Sequence, residues 1–288
     1  LPDAYKVLRD LPSRSVVTWN ALIAGYAQEG KGREALHYFA EMKREGLSPN
    51  VVTFMCCLKA CGSIGAVEEG INIHDEIAGA DLLQKNIMLA TALVDMYAKC
   101  GLLVKASQVL EELPIRDTVS WSALIAGYAQ KGHFDNALSC FAQMHREGIF
   151  PNEVTFLSVL NACSHRGKFD EAQTYYENMS ETYGILPKLE HHACMVVNFG
   201  RVGDFDKAMS VIKTMPSFNN LSIWLTLLGS CRKWGNVMLG RLAFDKAIKL
   251  DNNVASAYVM MANIYASAGM QEDAEKVEEA MKVKYEPA

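Results

Sequence analysis

VVTWNALIAGYAQEGKGREALHYFAEMKREGLSPN, Val16 to Asn50, returns in recognisable form 102 residues later as Thr118 to Asn152. Trp19 recurs as Trp121, Tyr26 as Tyr128, Gly30 as Gly132, Ala35 as Ala137, Phe39 as Phe141 and Pro49 as Pro151, all at one offset. Between the copies lie a 36-residue segment, Val51 to Asn86, and a 31-residue one, Ile87 to Asp117, so the period is a triplet of 35, 36 and 31 residues. Periods of this length mark a solenoid, in which each unit buries its apolar face against its neighbours.

Working outward, the units read Val16 to Asn50, Val51 to Asn86, Ile87 to Asp117, Thr118 to Asn152, Glu153 to Lys188, Leu189 to Asn220, Leu221 to Val254 and Ala255 to Ala288. Leu1 to Ser15 matches the close of the third unit, with Leu11-Pro12 answering Leu113-Pro114, and reads as the second helix of a truncated repeat. The fifteenth residue of every unit is glycine: Gly30, Gly65, Gly101, Gly132, Gly167, Gly203, Gly235 and Gly269. A helix end that needs a left-handed backbone explains it, since a side chain there costs about 1 kcal/mol. The twentieth residue is always Ala or Gly, small enough for paired helices to approach closely. Apolar residues keep helical spacing before the glycine (Trp19, Leu22, Ile23, Tyr26) and after it (Ala35, Leu36, Phe39, Met42). Gly46 to Pro49 and Gly148 to Pro151 then stop the second helix. The expected fold is all-α, a right-handed superhelical solenoid of helix-turn-helix repeats whose first helices line the concave face.

Half of the 288 residues are apolar and the formal net charge is -5, so bulk positive charge cannot drive nucleic-acid binding here. The eight cysteines form no CxxC pair, and Cys61, Cys163 and Cys231 share one repeat position that holds Tyr or Phe in other units. They read as small core residues in a reducing compartment. No apolar run is long enough to span a membrane, and Leu1 to Arg14 does not resemble a targeting peptide.

Three motifs fail on context. Gly30 to Ala35 fits GxGxxA, but a helical stretch precedes it where a dinucleotide site needs a strand. His74-Asp75-Glu76 fits the HxE of zinc deaminases without the cysteine pair that completes that site, and reads as an ordinary second-helix segment. His191 and His192, adjacent on a helix, point apart and have no partner four residues on, so no metal, cofactor or catalytic group is expected. The sequons at Asn178 and Asn220 matter only in a secreted protein.

What remains is the face the array presents. The fifth residue of each unit lies one turn inside the first helix and the last residue just before the next, so the two should be neighbours at the groove. The pairs are Asn20/Asn50, Met55/Asn86, Thr91/Asp117, Ser122/Asn152, Leu157/Lys188 and Ala193/Asn220. Asn and Asp at the last position also suit a helix cap or turn, a competing account of the same residues.

Val16 to Asn50 resembles a pentatricopeptide repeat, and the 35/36/31 triplet resembles the PLS subclass of land-plant organellar proteins. Leu189 to Pro216 resembles the last S-type repeat, and IWLTLLGSCRKWGNVMLG with AYVMMANIYASAGMQEDAEKV resembles the E1 and E2 extension motifs. The resemblance divides the chain into a truncated S-type repeat (1–15), P (16–50), L (51–86), S (87–117), P (118–152), L (153–188) and S (189–220) repeats, E1 (221–254) and E2 (255–288). It implies binding of single-stranded RNA, one base per repeat, as the specificity portion of an organellar cytidine-to-uridine editing factor.

The same resemblance makes the fifth and last residues base readers: Asn20, Asn50, Thr91, Asp117, Ser122, Asn152 and Asn220. Asp117 only accepts hydrogen bonds and guanine offers two donors on its Watson–Crick edge; Asn152 both donates and accepts, as adenine requires. With Asn20/Asn50 as a pyrimidine pair, the expected RNA contains Y-N-G-A-N-N. The second residues Val17, Val52, Met88, Val119 and Val154 are expected to sandwich the bases, a pattern from which Glu190 departs, and Lys99 and Arg201 to reach phosphate. The implied partners are RNA, a deaminase domain in cis or in trans, and editing-complex proteins met through E1 and E2. The implied location is a plant organelle, the mitochondrion ahead of the chloroplast. The rival reading is a tetratricopeptide-like scaffold that holds a peptide in its groove.

Overall fold

A computed structural model describes residues 13–83, 86–215 and 219–285. The truncated-repeat assignment lies, except for its last three residues, outside the described residues, as do Glu286 to Ala288. Among the described residues there are sixteen helices and no strand. They are α1 (Val16–Gln28), α2 (Gly32–Arg44), α3 (Val51–Ile64), α4 (Val67–Gly79), α5 (Ile87–Cys100), α6 (Leu103–Glu112), α7 (Thr118–Gln130) and α8 (Phe134–Arg146). There follow α9 (Glu153–Arg166), α10 (Phe169–Glu181), α11 (Leu189–Val202), α12 (Phe205–Thr214), α13 (Leu221–Trp234), α14 (Val237–Leu250), α15 (Ala255–Ser267) and α16 (Gln271–Tyr285). The all-α, hairpin-built class expected from the sequence is the one observed, and the odd-numbered helices open on the first residues of the eight units.

Packing divides the chain into two compact units, Leu1–Ala162 and Cys163–Ala288. In the first, α1 pairs with α2, α3 with α4, α5 with α6 and α7 with α8, while α1, α3, α5 and α7 also pack in series. In the second, α11 pairs with α12, α13 with α14 and α15 with α16, and α11, α13 and α15 pack in series. Each hairpin thus touches its neighbours and little else, as expected of a repeat stack.

The glycine turn does what the pattern required. Gly132 has φ +81°, and the following His133 N–H returns to the Tyr128 carbonyl at 2.9 Å, closing the end of α7. The small twentieth residue is needed where helices cross: a Cβ on Gly70 would lie 2.6 Å from Met96 Sδ on α5. The apolar stripes meet inside the stack, with Trp19, Leu22, Ile23, Phe39 and Met42 buried. Each such aliphatic side chain contributes roughly 1.5–3 kcal/mol. Cys61, Cys163 and Cys231 are buried, and burial pushes each thiol up to about 12, which makes them inert core groups.

Candidate nucleic-acid interface

Every first helix of the first unit starts on a side-chain cap, and the capping residue is the last residue of the preceding repeat. Asn50 Oδ1 accepts the Thr53 N–H at 3.0 Å, Asn86 Oδ1 the Leu89 N–H at 3.2 Å, Asp117 Oδ1 the Ser120 N–H at 2.8 Å and Asn152 Oδ1 the Thr155 N–H at 2.9 Å. In the second unit Asn220 Oδ1 accepts the Ile223 N–H at 3.3 Å. The cap account of these residues is therefore correct, and it occupies only one side-chain atom of each. The second atom, Nδ2 of Asn50 and of Asn152 or Oδ2 of Asp117, is left for something else.

The fifth and last residues do meet at two of the polar pairs. Asn20 Nδ2 donates to Asn50 Oδ1 at 3.0 Å, and Ser122 Oγ to Asn152 Oδ1 at 3.2 Å. Asn20 and Ser122 are themselves buried, so they brace their partners from within the stack. This revises one expectation: the oxygen of Asn152 is turned inward to the cap, and the donor NH₂ is what the residue presents. Asp117, with Oδ1 committed, presents an acceptor.

Thr91 and Asp117 share no hydrogen bond among the described residues. Thr91 is only 9% exposed, and its Oγ1 is buried with no hydrogen-bond partner. A buried hydroxyl left unpaired costs about 1–3 kcal/mol. Of the candidate readers it is the one whose unmatched polar atom is buried.

Beside these pairs runs a row of apolar side chains turned to solvent. Val17, Val52, Met88, Val119 and Val154 are 52–73% exposed, each at the second position of its first helix. Glu190, at the same place in α11, is also exposed. The two expected phosphate contacts are partly engaged. Lys99 Nζ lies 2.6 Å from Asp95 Oδ2, an exposed pair worth little, whereas Arg201 Nη1 donates to the Ser164 carbonyl at 2.9 Å and to Ser164 Oγ at 3.0 Å. Met55, Leu157 and Ala193, the apolar fifth residues, stand half-buried and offer no polar atom.

Several contacts were missed by sequence reasoning. Trp19 Nε1 donates to Glu45 at 3.2 Å and Arg14 pairs with the same carboxylate; Trp121 Nε1 donates to Glu147 at 3.3 Å and Arg116 pairs with it at 2.5 Å. All three members recur at the 102-residue offset, which is the signal that could have exposed them. The histidines set aside as metal ligands have partners of another kind: His74 Nδ1 lies 2.8 Å from the Tyr97 hydroxyl and His192 Nδ1 2.6 Å from that of Tyr176. Burial lowers both imidazoles and pushes both phenols up to about 12, so at neutral pH a neutral phenol meets a neutral ring.

Comparison with known proteins bears on the family and the fold. A model of the PPR repeat family matches residues 14–63 and 116–165, a PPR repeat model matches 90–117, 154–181 and 194–220, and an E motif model matches 234–285. A mitochondrial pentatricopeptide repeat-containing protein of Arabidopsis thaliana is 37% identical over 283 residues, covering 98% of this chain and 61% of the relative. The chloroplastic CRR2 of the same plant is 40% identical over 280 residues, covering 96% and 42%. The chain therefore spans between about a third and three fifths of the length of the first relatives it matches. Among solved structures, the maize pentatricopeptide repeat protein PPR10 superposes with TM-score 0.59 at 19% identity, over 96% of this chain and 45% of that one. PPR10 in complex with an 18-nt psaJ RNA element gives TM-score 0.68 at 16% identity, over 97% and 47%. These likenesses bear on the fold.

Proposed function

This chain belongs to the pentatricopeptide repeat family and carries an E motif, and from that premise we propose that it binds single-stranded RNA sequence-selectively, one base per repeat. The observation that carries the proposal is the pairing, repeated along the first unit, of an exposed apolar second residue with a capping residue that keeps one polar atom uncommitted. An apolar side chain turned to water at 52–73% in five successive hairpins is a cost the fold does not require, and a base face would cover it. The uncommitted atom beside it then meets the base edge. Asp117 presents an acceptor and suits the donors of guanine; Asn50 and Asn152 present donors and suit the ring nitrogen of adenine or the acceptors of a pyrimidine. Asn220 presents the same donor beside Ala193 and leaves its base unassigned.

On this reading the preferred RNA contains Y-N-G-A-N-N, and the whole protein is an organellar RNA-editing specificity factor. The names of relatives place such proteins in both mitochondria and chloroplasts. Deamination would belong to a zinc deaminase domain in cis or in trans, recruited by way of the E hairpins, and the 288-residue chain would bind without converting cytidine. Gel-shift titration of Y-N-G-A-N-N RNA against a scrambled RNA of equal length tests the proposal. Equal affinities, or no RNA binding where a peptide binds, would replace it with the scaffold reading.

A further inference from the structure

Position three of the repeat following each reading pair separates the junctions. It is Thr53 after Asn20/Asn50, Thr155 after Ser122/Asn152, but Ser120 after Thr91/Asp117 and Leu89 after Met55/Asn86. Thr53 and Thr155 are fully buried. Each accepts the N–H of the capping asparagine on its hydroxyl, at 3.1 Å from Asn50 and 3.2 Å from Asn152, and each returns its own N–H to that asparagine's Oδ1.

The hydroxyl proton then reaches across to the neighbouring repeat. Thr53 Oγ1 donates to Asn20 Oδ1 at 2.6 Å, which leaves Asn20 Nδ2 to donate to Asn50 Oδ1 at 3.0 Å. Thr155 Oγ1 lies 2.7 Å from Ser122 Oγ and 2.9 Å from Asn152 Oδ1. The Thr53 and Asn20 N–H groups both reach Asn50 Oδ1, and the Thr155 N–H reaches Asn152 Oδ1 with two hydroxyls beside it, one of which, on Ser122, also lies 2.5 Å from the Thr118 carbonyl; a flipped amide would set N–H against N–H at either site. The oxygen is held inward and the NH₂ outward. Ser120 behaves otherwise: its hydroxyl donates at 2.9 Å to the carbonyl of Asp117, within its own cap, and Thr91 receives nothing.

We propose that Thr53 and Thr155 are positioning residues for base selection, their hydroxyls reinforcing the orientation that the backbone cap gives the amides of Asn50 and Asn152, so that a donor, not an acceptor, meets the base. The inference rests on the RNA-reading assignment above. It adds a third member, from the next repeat, to the two pairs Asn20/Asn50 and Ser122/Asn152.

The test uses the 288-residue chain with Thr155→Val and Thr155→Ser, titrated against RNAs that differ only at the third or only at the fourth base of Y-N-G-A-N-N. Valine keeps the shape and the backbone N–H that the cap needs, but removes the hydroxyl. The fourth-base preference for A over G should fall about fivefold, part of the discrimination one good base contact provides. The third-base preference should stay within about twofold, and Thr155→Ser should restore the fourth. A threonine that served only the helix cap would weaken binding equally for all four bases at the fourth position; that result, or failure of serine to rescue, overturns the proposal. If the unmodified chain itself shows no fourth-base preference, the RNA-reading assignment falls first and carries this one with it, whereas preference retained by Thr155→Val removes this one alone. Thr53→Val and Thr53→Ser, read at the first base, give the same decision should Thr155→Val fail to fold.

Discussion

In the five hairpins from Val16 to Lys188 an exposed apolar group recurs at the second residue of the first helix, beside others that do not repeat, such as Val104, Ile115, Phe150 and Leu186; in the two hairpins from Leu221 that place holds Ser222 and Ser256. There the exposed apolar side chains include Met238 and Leu242 on α14 and Val283 on α16, with Trp234 and Val259 on the first helices. The turn glycine and the small twentieth residue are unchanged between the two regions, so the scaffold is one and the presented surface is two. Burial rules decide where the hairpins fold, and they leave the solvent face free to diverge. We read the repeats as the RNA face and the E hairpins as the face for other proteins.

The harshest way to break this comparison is to charge each surface in turn. Met88→Asp with Val119→Asp should weaken RNA binding about a hundredfold, from roughly 1–1.5 kcal/mol per base contact and added repulsion of phosphate. Both sites lie in the first turn of a helix, where a carboxylate is favourable, so thermal stability should hold. Met238→Asp with Val283→Asp should leave RNA affinity within about twofold, as exposed substitutions remote from the interface do. Equal losses from the two pairs would erase the distinction.

Next in size is Asp117→Asn, which keeps the cap but exchanges the presented acceptor for a donor. The third-base preference should move about tenfold from guanine toward adenine. An unchanged ratio in gel-shift titrations of both RNAs would mean that Asp117 only caps α7.

Smaller still, Thr91→Val should divide stability from function. Removing the unmatched hydroxyl should leave the melting temperature equal or higher, by up to about 1 kcal/mol of stability, while affinity for the guanine-bearing RNA falls a few-fold. A large drop in melting temperature would show that Thr91 is satisfied in solution and is no reader.

The smallest expected effect is of pH. His74, flanked by Asp75, Glu112 and Lys105, and His192, beside His191, are lowered first of all by burial. The unfolded chain therefore takes up protons near pH 6.5 that the folded chain refuses, so this contribution is present above that pH and is lost as pH falls toward the folded values. Amide protection, measured relative to the intrinsic exchange rate at each pH, should fall modestly in α4, α5, α10 and α11 between pH 7.5 and about 5.5. The E hairpins, which lack such a pair, should change less.

Much of this was written in the chain. Eight glycines in register announced eight turns, and the solvent-facing row at Val17, Val52, Met88, Val119 and Val154 followed from one repeat position. Which atom of Asn152 faces outward could not be read, because it depends on the N–H and hydroxyl of Thr155, which reach Asn152 only when α9 forms. The orphaned Thr91 was hidden for the same reason: Ser120 and Thr155 look alike as third residues, yet their protons go to different carbonyl and side-chain partners. The Arg14, Trp19 and Glu45 clamp was visible as an identity at offset 102, but a composition-led reading discounts isolated charges.

The threonine that completes a reading pair belongs to the neighbouring repeat, and this sets the grain at which such a chain can be copied or rebuilt. Moving the hairpin Thr118 to Asn152 alone to a place before Ile87 would set its pair against Leu89, whose N–H can still be capped as it is by Asn86 but whose side chain brings no hydroxyl to Ser122 and Asn152. Moving the block of 102 residues keeps every donor with its acceptor. The heritable and engineerable piece is thus the triplet, and a designer who swaps single hairpins should carry the third residue of the next one along.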